Sequence, residues 1–175
     1  MLRNSFTFNG VDVREQYGLI VSEFIDVLAP PKRERKLVVP ERDGSVDYGA
    51  MRYDERMLVV ECATVQIPTR GECRALSLLL ARKGKIQRWD EPDKYYVGEI
   101  YDPTEIERVV GSAKRFSLRF ICEPFAYGEQ VTEVFNTSAN LAYKGTARTP
   151  VLVTITNANA FAVTGLSILV REEIK

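Results

Sequence analysis

Apolar and polar residues alternate along most of this chain with the period of two that a half-buried strand requires. The clearest run starts at Lys114, with Phe116, Leu118, Phe120 and Cys122 on one side and Ser117, Arg119 and Ile121 on the other. Near the start, Phe6-Thr7-Phe8 and Val11-Asp12-Val13 flank Asn9-Gly10, a pair that tolerates positive φ and predicts a tight hairpin. Leu19 to Ile25 predicts a further strand, and Pro30-Pro31 then halts regular structure. Met57 to Ile67 predicts a long strand with Met57, Val59, Ala63, Val65 and Ile67 on one side and Leu58, Val60 and Cys62 on the other. Apolar residues on both sides are the pattern of a central strand covered on both faces. Ile86 to Trp89 and Tyr95 to Tyr101 predict two more strands around a turn at Asp90-Glu91-Pro92-Asp93, and Val131 to Phe135 another. Tyr95 and Tyr96 must point opposite ways in a strand, so at most one of them is core.

One segment switches to helical spacing. Thr69-Arg70-Gly71-Glu72 has the form of a capping box, in which hydroxyl and carboxylate each satisfy an orphan backbone donor. Cys73, Leu76, Leu79 and Leu80 then make one apolar face, which predicts a core-closing helix from Glu72 to Lys83. Arg82 and Lys83 would complement its dipole and Gly84 would end it.

Lys32 to Asp54 has a different character. Lys32, Arg33, Glu34, Arg35 and Lys36 lead into Leu37-Val38-Val39, and Asp43-Gly44 is a second hairpin signal. So few apolar residues among so many charges can bury little against their own domain. The segment predicts a projecting two-stranded arm, and a lone hairpin in water needs another surface to lie on. From Asn136 the residues become small and polar, which marks a boundary between a domain at 1–135 and a linker with a short or truncated C-terminal β region at 136–175. Val151 to Thr156 and Leu166 to Val170 predict strands there. The fold class is therefore mainly β (α+β). It comprises a β-sandwich or barrel-like N-terminal domain with one helix and a projecting hairpin arm, followed by a few strands of a partial second β-sandwich.

Charge and composition narrow the function. Lys+Arg and Asp+Glu both count 24, so no cationic surplus points to a nucleic-acid partner. The chain has no histidine, the commonest general base. Cys62, Cys73 and Cys122 match neither a disulfide framework nor a zinc site, and read as small buried hydrophobes in a reducing cytosol. Asp90, Glu91 and Asp93 sit at a turn, without the alternation of oxygen ligands that a calcium loop requires. No catalytic residue, metal or cofactor is expected. Met1-Leu2-Arg3-Asn4-Ser5 lacks the apolar run of a signal peptide, and no apolar stretch is long enough to span a bilayer. Synthesis in the cytoplasm without a membrane partner is expected.

An ordered set of motifs resembles the N-terminal domain of the distal tail (Dit) proteins of siphophages. It comprises Phe6-Thr7-Phe8-Asn9-Gly10 with Tyr17-Gly18-Leu19-Ile20-Val21, then Val38-Val39-Pro40-Glu41-Arg42-Asp43-Gly44, then Trp89 with Pro92-Asp93-Lys94-Tyr95-Tyr96. Phe116-Ser117-Leu118-Arg119-Phe120 leading into Glu123-Pro124-Phe125 follows, and Gly145-Thr146 with Pro150 resembles the opening of the family's second domain. Each motif alone is a turn or strand end; their joint order over most of the chain carries the resemblance. Glu41 stands where the family pattern has glycine, which puts the shape of that turn in question. The chain also ends after a couple of strands of what is a full second sandwich in longer members, leaving a short form and a cut within the gene both open.

The resemblance implies a structural virion protein at the tail tip. It implies a hexameric ring, a hub joining the tail tube to tip or baseplate proteins, and a lumen through which DNA passes without specific binding. A ring needs heterologous contacts, in which one surface of a copy meets a different surface of the next. The arm is the candidate for that contact: Arg33, Arg35, Arg42 and Asp43 for cross-subunit ion pairs, and Leu37, Val38 and Val39 as the apolar anchor. The alternative is a carbohydrate-binding β-sandwich module using surface tyrosines, with Tyr96 the residue to test.

Overall fold

The structure is a computed structural model that describes residues 3–47, 52–64, 68–100, 107–108 and 114–135, together with 141, 143, 145–157, 160, 162, 164–165 and 167–168. In chain order the elements are β1 (Phe6–Phe8), β2 (Val11–Asp12), α1 (Val13–Tyr17), β3 (Leu19–Asp26), β4 (Lys36–Val38), β5 (Ser45–Asp47), β6 (Arg56–Thr64), α2 (Arg70–Leu80), β7 (Gly84–Arg88), β8 (Tyr96–Ile100), β9 (Glu107–Arg108) and β10 (Lys114–Cys122). The chain divides into two compact units, Met1–Asn136 and Thr137–Lys175.

In the first unit one antiparallel sheet runs in the order β2-β1-β7-β8-β10-β6-β3, with β9 pairing onto β10. This sheet curls. Strand β1 lies three strand spacings from β10, about 14 Å in a flat sheet. Yet the Phe6 and Phe8 rings stand 6.1 and 5.9 Å from Phe120, so the two strands face each other across an interior. At the far edge, Val21 N–H donates to Asn4 O at 2.9 Å, which ties β3 to the residues leading into β1 and brings the sheet's ends together. Around that interior Phe6, Phe8, Leu19, Val21, Leu58, Val60, Ile86 and Phe120 are buried. Strand β8 approaches β10 so closely that a Cβ on Gly98 would fall 2.6 Å from Cys122 Sγ and 2.9 Å from Ile121 O, which excludes any side chain there.

The expected hairpin forms, with Phe8 opposite Val11 and both turn residues at positive φ, Asn9 at 50° and Gly10 at 83°. The expected third residue of its second strand does not extend it. Val13 instead opens α1, because the Asp12 carboxylate accepts from Arg14 N (3.0 Å) and Glu15 N (3.3 Å) as an N-cap. Gly18, at φ 66°, closes the turn, its N–H donating to Arg14 O. The domain thus has a second, five-residue helix besides the expected one.

The capping box at Thr69 is present, with Thr69 N donating to Glu72 Oε2 (2.7 Å) and Glu72 N to Thr69 Oγ1 (3.2 Å). Leu80 is buried and Leu76 and Leu79 pack against the core, which is the predicted face. The end of the helix differs from expectation. It stops at Leu80 with Ala81 as C-cap, and Gly84 opens β7 instead. Lys83 is drawn away from the helix dipole by an ion pair to Glu123 at 2.6 Å.

The β10 alternation is as predicted, with Phe116, Leu118, Phe120 and Cys122 all buried. Strand β6 is central, between β10 and β3, but covered on one face only. Leu58, Val60 and Cys62 point inward, while Met57 is 49% exposed and Val59 and Ala63 are half-buried, because among the described residues no layer lies over the outside of the sheet there. Val65 to Ile67 and Tyr101 lie outside the described residues. The strand expected over Val131 to Phe135 does not form: residues 128–135 are exposed and unpaired into any strand.

In the second unit, residues 151–157 form no strand although Val151 to Thr156 alternates well. A strand needs a neighbouring edge and an apolar face to cover. Leu152 is 85% exposed, so neither exists for this segment among the described residues. Most of the strand expected at Leu166 to Val170 lies outside the described residues.

The core makes a direct prediction. Phe120 touches both β1 rings, so Phe120→Ala should destabilise the protein by about 3–5 kcal/mol in urea unfolding, through lost transfer energy and the cavity left behind. A change below about 1 kcal/mol would mean the β1–β10 contact is not the centre of the core.

Candidate functional site

Among the described residues, strands β4 and β5 pair only with each other, Lys36 opposite Asp47, Leu37 opposite Val46 and Val38 opposite Ser45. They form a hairpin separate from the main sheet. Its stalk is a second short stretch of pairing, where Lys32 bridges Tyr53, Arg33 N donates to Arg52 O (2.9 Å) and Asp54 N donates to Pro31 O (2.8 Å). Tyr53 meets the Phe125 ring edge-on at 5.1 Å, which seats the stalk on the segment after β10.

The arm leaves the domain after Asp26 and returns at Arg56, and these two residues hold the opening closed. Arg56 is buried and donates from Nη2 to Asp26 Oδ1 at 2.8 Å and from Nε at 3.1 Å. It also donates to the carbonyls of Val27 and Pro124, the latter at 3.4 Å. Arg88 from β7 stands 3.8 Å from the other Asp26 oxygen, with its guanidinium 4.5 Å over the Phe24 ring and a shorter ion pair to Asp90 at 2.6 Å. Tyr96 from β8 donates its hydroxyl toward Asp26 at 3.4 Å, and Arg56 lies 5.3 Å from its ring centre. Burial and the facing Asp26 carboxylate push the Tyr96 phenol above its usual range, so it stays a donor. Losing either member of a buried, hydrogen-bonded pair like Asp26–Arg56 costs about 3–5 kcal/mol.

Between β4 and β5, Val39-Pro40-Glu41-Arg42 makes a turn closed by Arg42 N donating to Val39 O at 3.3 Å. Proline second and a positive φ third are the marks of a type II turn, and Glu41 sits at φ 65°. The position that calls for glycine in the family pattern thus keeps its left-handed backbone here despite carrying a glutamate. An L side chain there costs about 1–2 kcal/mol.

All seven residues expected at the interface lie on this arm, and none is buried by its own chain. Leu37 is 51% and Val38 74% exposed, Val39 is half-buried, and Arg33, Arg35, Arg42 and Asp43 are exposed. Their pairing is uneven. Arg33 is engaged within the arm, donating to Asp54 at 2.6 Å, while Arg35 and Arg42 make no ion pair among the described residues. Sequence reasoning missed the Asp26–Arg56 pair, whose partners stand 30 positions apart and carry no local signal.

The tyrosines expected on the surface are structural. Tyr96 is buried at 6% exposure, so it offers no face to a sugar. Tyr95 stacks on Tyr127 at 5.7 Å beneath the Lys85 ammonium, and Trp89 is half-buried. Tyr127 donates to Glu123, which also accepts from Lys83; the pair lowers the Glu123 carboxyl, and Tyr127 is pushed up to about 12. Among the described residues no cluster of His, Cys, Asp or Glu is placed to hold a metal ion, and no helix is long and apolar enough to cross a membrane. Burial pushes the Cys62 and Cys122 thiols up to about 12, which keeps both in the unreactive protonated form.

No family model and no curated protein matches this chain. Among solved structures, the fold is similar to the crystal structure of the Dit protein of phage SPP1, described as a paradigm of the hub adsorption apparatus in phages infecting Gram-positive bacteria. The superposition has a TM-score of 0.59 at 24% sequence identity and covers 73% of this chain and 53% of that one. This chain spans about half the length of that protein. At this identity the likeness is one of fold.

Two measurements test the site as built. Glu41→Gly should raise stability by about 1 kcal/mol by relieving the left-handed strain at no loss of contact; a destabilised variant would show that the turn is not type II. In native protein at pH 8 a disulfide reagent should titrate Cys73 alone, with Cys62 and Cys122 reacting only after denaturation. Fast reaction of either buried thiol in the native state would contradict the closed core.

Proposed function

We propose that this chain is a structural subunit of the tail-tip hub of a siphophage, acting by assembly and not by catalysis. Identical copies close into a ring, six by analogy with the family, at the distal end of the tail. The ring joins the tail tube to tip or baseplate proteins and leaves a lumen through which DNA passes without specific binding. The protein is made in the host cytoplasm and resides in the virion tail tip, without a membrane or cofactor.

The observation that supports this reading best is the arm. A two-stranded hairpin with aliphatic residues left open, lifted off its domain and held at its root by a buried ion pair, is marginal alone and stable against a partner. The likeness in fold to a phage hub protein supports taking that partner to be another subunit of a tail-tip assembly. The balanced charge fits a wall that lets a polyanion pass without holding it.

Negative-stain microscopy and multi-angle light scattering of the whole chain should show closed rings. Replacing residues 34–51 by a short Gly-Ser linker, with the stalk kept, should leave a folded monomer with the wild-type circular dichroism of the domain and no rings. A wild-type protein that stays monomeric at high concentration would overturn the ring, and rings unchanged by the replacement would overturn the arm's part in it.

A further inference from the structure

After the Tyr95–Tyr127 bridge the chain runs on through residues 128–135, which are exposed and join no strand. Their backbone makes no hydrogen bond among the described residues. A solvated connection is normally polar, yet Val131 is 82%, Val134 94% and Phe135 50% exposed. The segment is rich in strand formers, and in an extended conformation Glu129, Val131, Glu133 and Phe135 share one side. It is also acidic. No lysine or arginine stands between Arg119 and Lys144, and Glu129 and Glu133 make no ion pair among the described residues.

The arm offers the converse. Strand β4 has one neighbour, β5, so among the described residues its other edge is open. An open edge presents unpaired N–H and C=O groups to any extended chain, and a third strand is what makes a lone hairpin stable. The approach to that edge is basic, with four cations and one anion from Lys32 to Lys36. Arg33 is held by Asp54 and Lys36 by Glu34, whereas Lys32 and Arg35 are exposed without an ion pair among the described residues. The faces match as well as the charges. Arg35 and Leu37 are two positions apart and share a face, and Glu133 shares one with Val131 and Phe135, two positions to either side. A segment laid along β4 with Glu133 beside Arg35 therefore sets Val131 or Phe135 beside Leu37, whichever way it runs.

We infer that residues 129–135 of a second copy of this chain add to the open edge of β4 as a third strand of the arm. Main-chain hydrogen bonds supply the affinity, as in strand addition generally, and charge selects the edge. The main sheet's edge strand β3 carries exposed Glu23, which repels an acidic segment. Donor and receiver are different surfaces of one chain, so the contact is head-to-tail, the kind that closes a ring when its rotation allows. This assignment rests on the arm-mediated assembly proposed above and names what the arm takes hold of.

Charge reversal with rescue tests it on the full chain, by sedimentation or light scattering. Glu129→Lys with Glu133→Lys should weaken self-association about tenfold or more, with the thermal melt of the domain unchanged. Arg35→Glu should weaken it likewise, and Arg35→Glu with Glu133→Arg in one chain should restore it. Proline separates strand addition from simple charge attraction. Alternate N–H groups of an added strand face the arm, so one of Val131→Pro and Thr132→Pro should also dissociate the copies. Prolines without effect overturn the third strand, and failure of the Arg35→Glu, Glu133→Arg chain to reassociate overturns the pairing. Segment variants that lower the melt of a dilute, monomeric sample place the segment on its own copy's arm, which overturns the exchange. Segment variants that assemble like wild type overturn the segment as partner. The arm reading then survives if the Gly-Ser replacement of residues 34–51 still dissociates the assembly, and falls as well if it does not.

Discussion

Asp26 and Arg56 meet where the chain leaves the curled sheet and where it comes back, and the arm's geometry depends on that contact. An ion pair taken out of water is favourable only when its remaining donors and acceptors are met. Here Arg56 is met by two backbone carbonyls besides the carboxylate, and Asp26 is met by groups from β6, β7 and β8. One carboxylate thereby links strands from both halves of the barrel. The root of the arm is held from several sides at once, which makes the projecting hairpin a positioned element and not a loop.

Positioning matters because the arm has so little to hold it otherwise. Its two strands are three residues each and its aliphatic residues face outward. The strained residue at its tip adds to the cost: Glu41 occupies a left-handed position, and strain of that kind persists only where surroundings impose it. A hairpin that is weak in isolation but fixed at its root has already lost the entropy of orientation on folding, which favours the clasping role proposed for it.

The remaining polar interactions serve the barrel. Lys83, Glu123 and Tyr127 fasten the segment after β10 back across the end of α2 and onto β8, and the Tyr95–Tyr127 stack continues that seam. Each of these groups is engaged by another side chain of the same domain, and of the three cysteines expected to be buried, Cys62 and Cys122 lie in the core while Cys73 is half-buried.

Local chemistry was legible in the sequence wherever one segment contains all the information. The Asn9-Gly10 hairpin, the Thr69–Glu72 capping box, the inward row of β10 and the separation of the arm from its domain each follow from neighbours within a few residues, because backbone sterics, caps and period-two alternation are local. Where a local signal was misread, a competing local signal was present: Asp12 with Gly18 outweighed the brief alternation at Val13 and made a helix. Alternation at Val131 to Phe135 and Val151 to Thr156 made no strand, because a strand is completed by an edge elsewhere in the chain and those segments meet none among the described residues. For the same reason only the tertiary structure decided that the sheet curls until Phe120 meets β1 and that Asp26 finds Arg56. Those contacts join residues tens of positions apart, and no pattern within a segment encodes which distant segment will lie beside it.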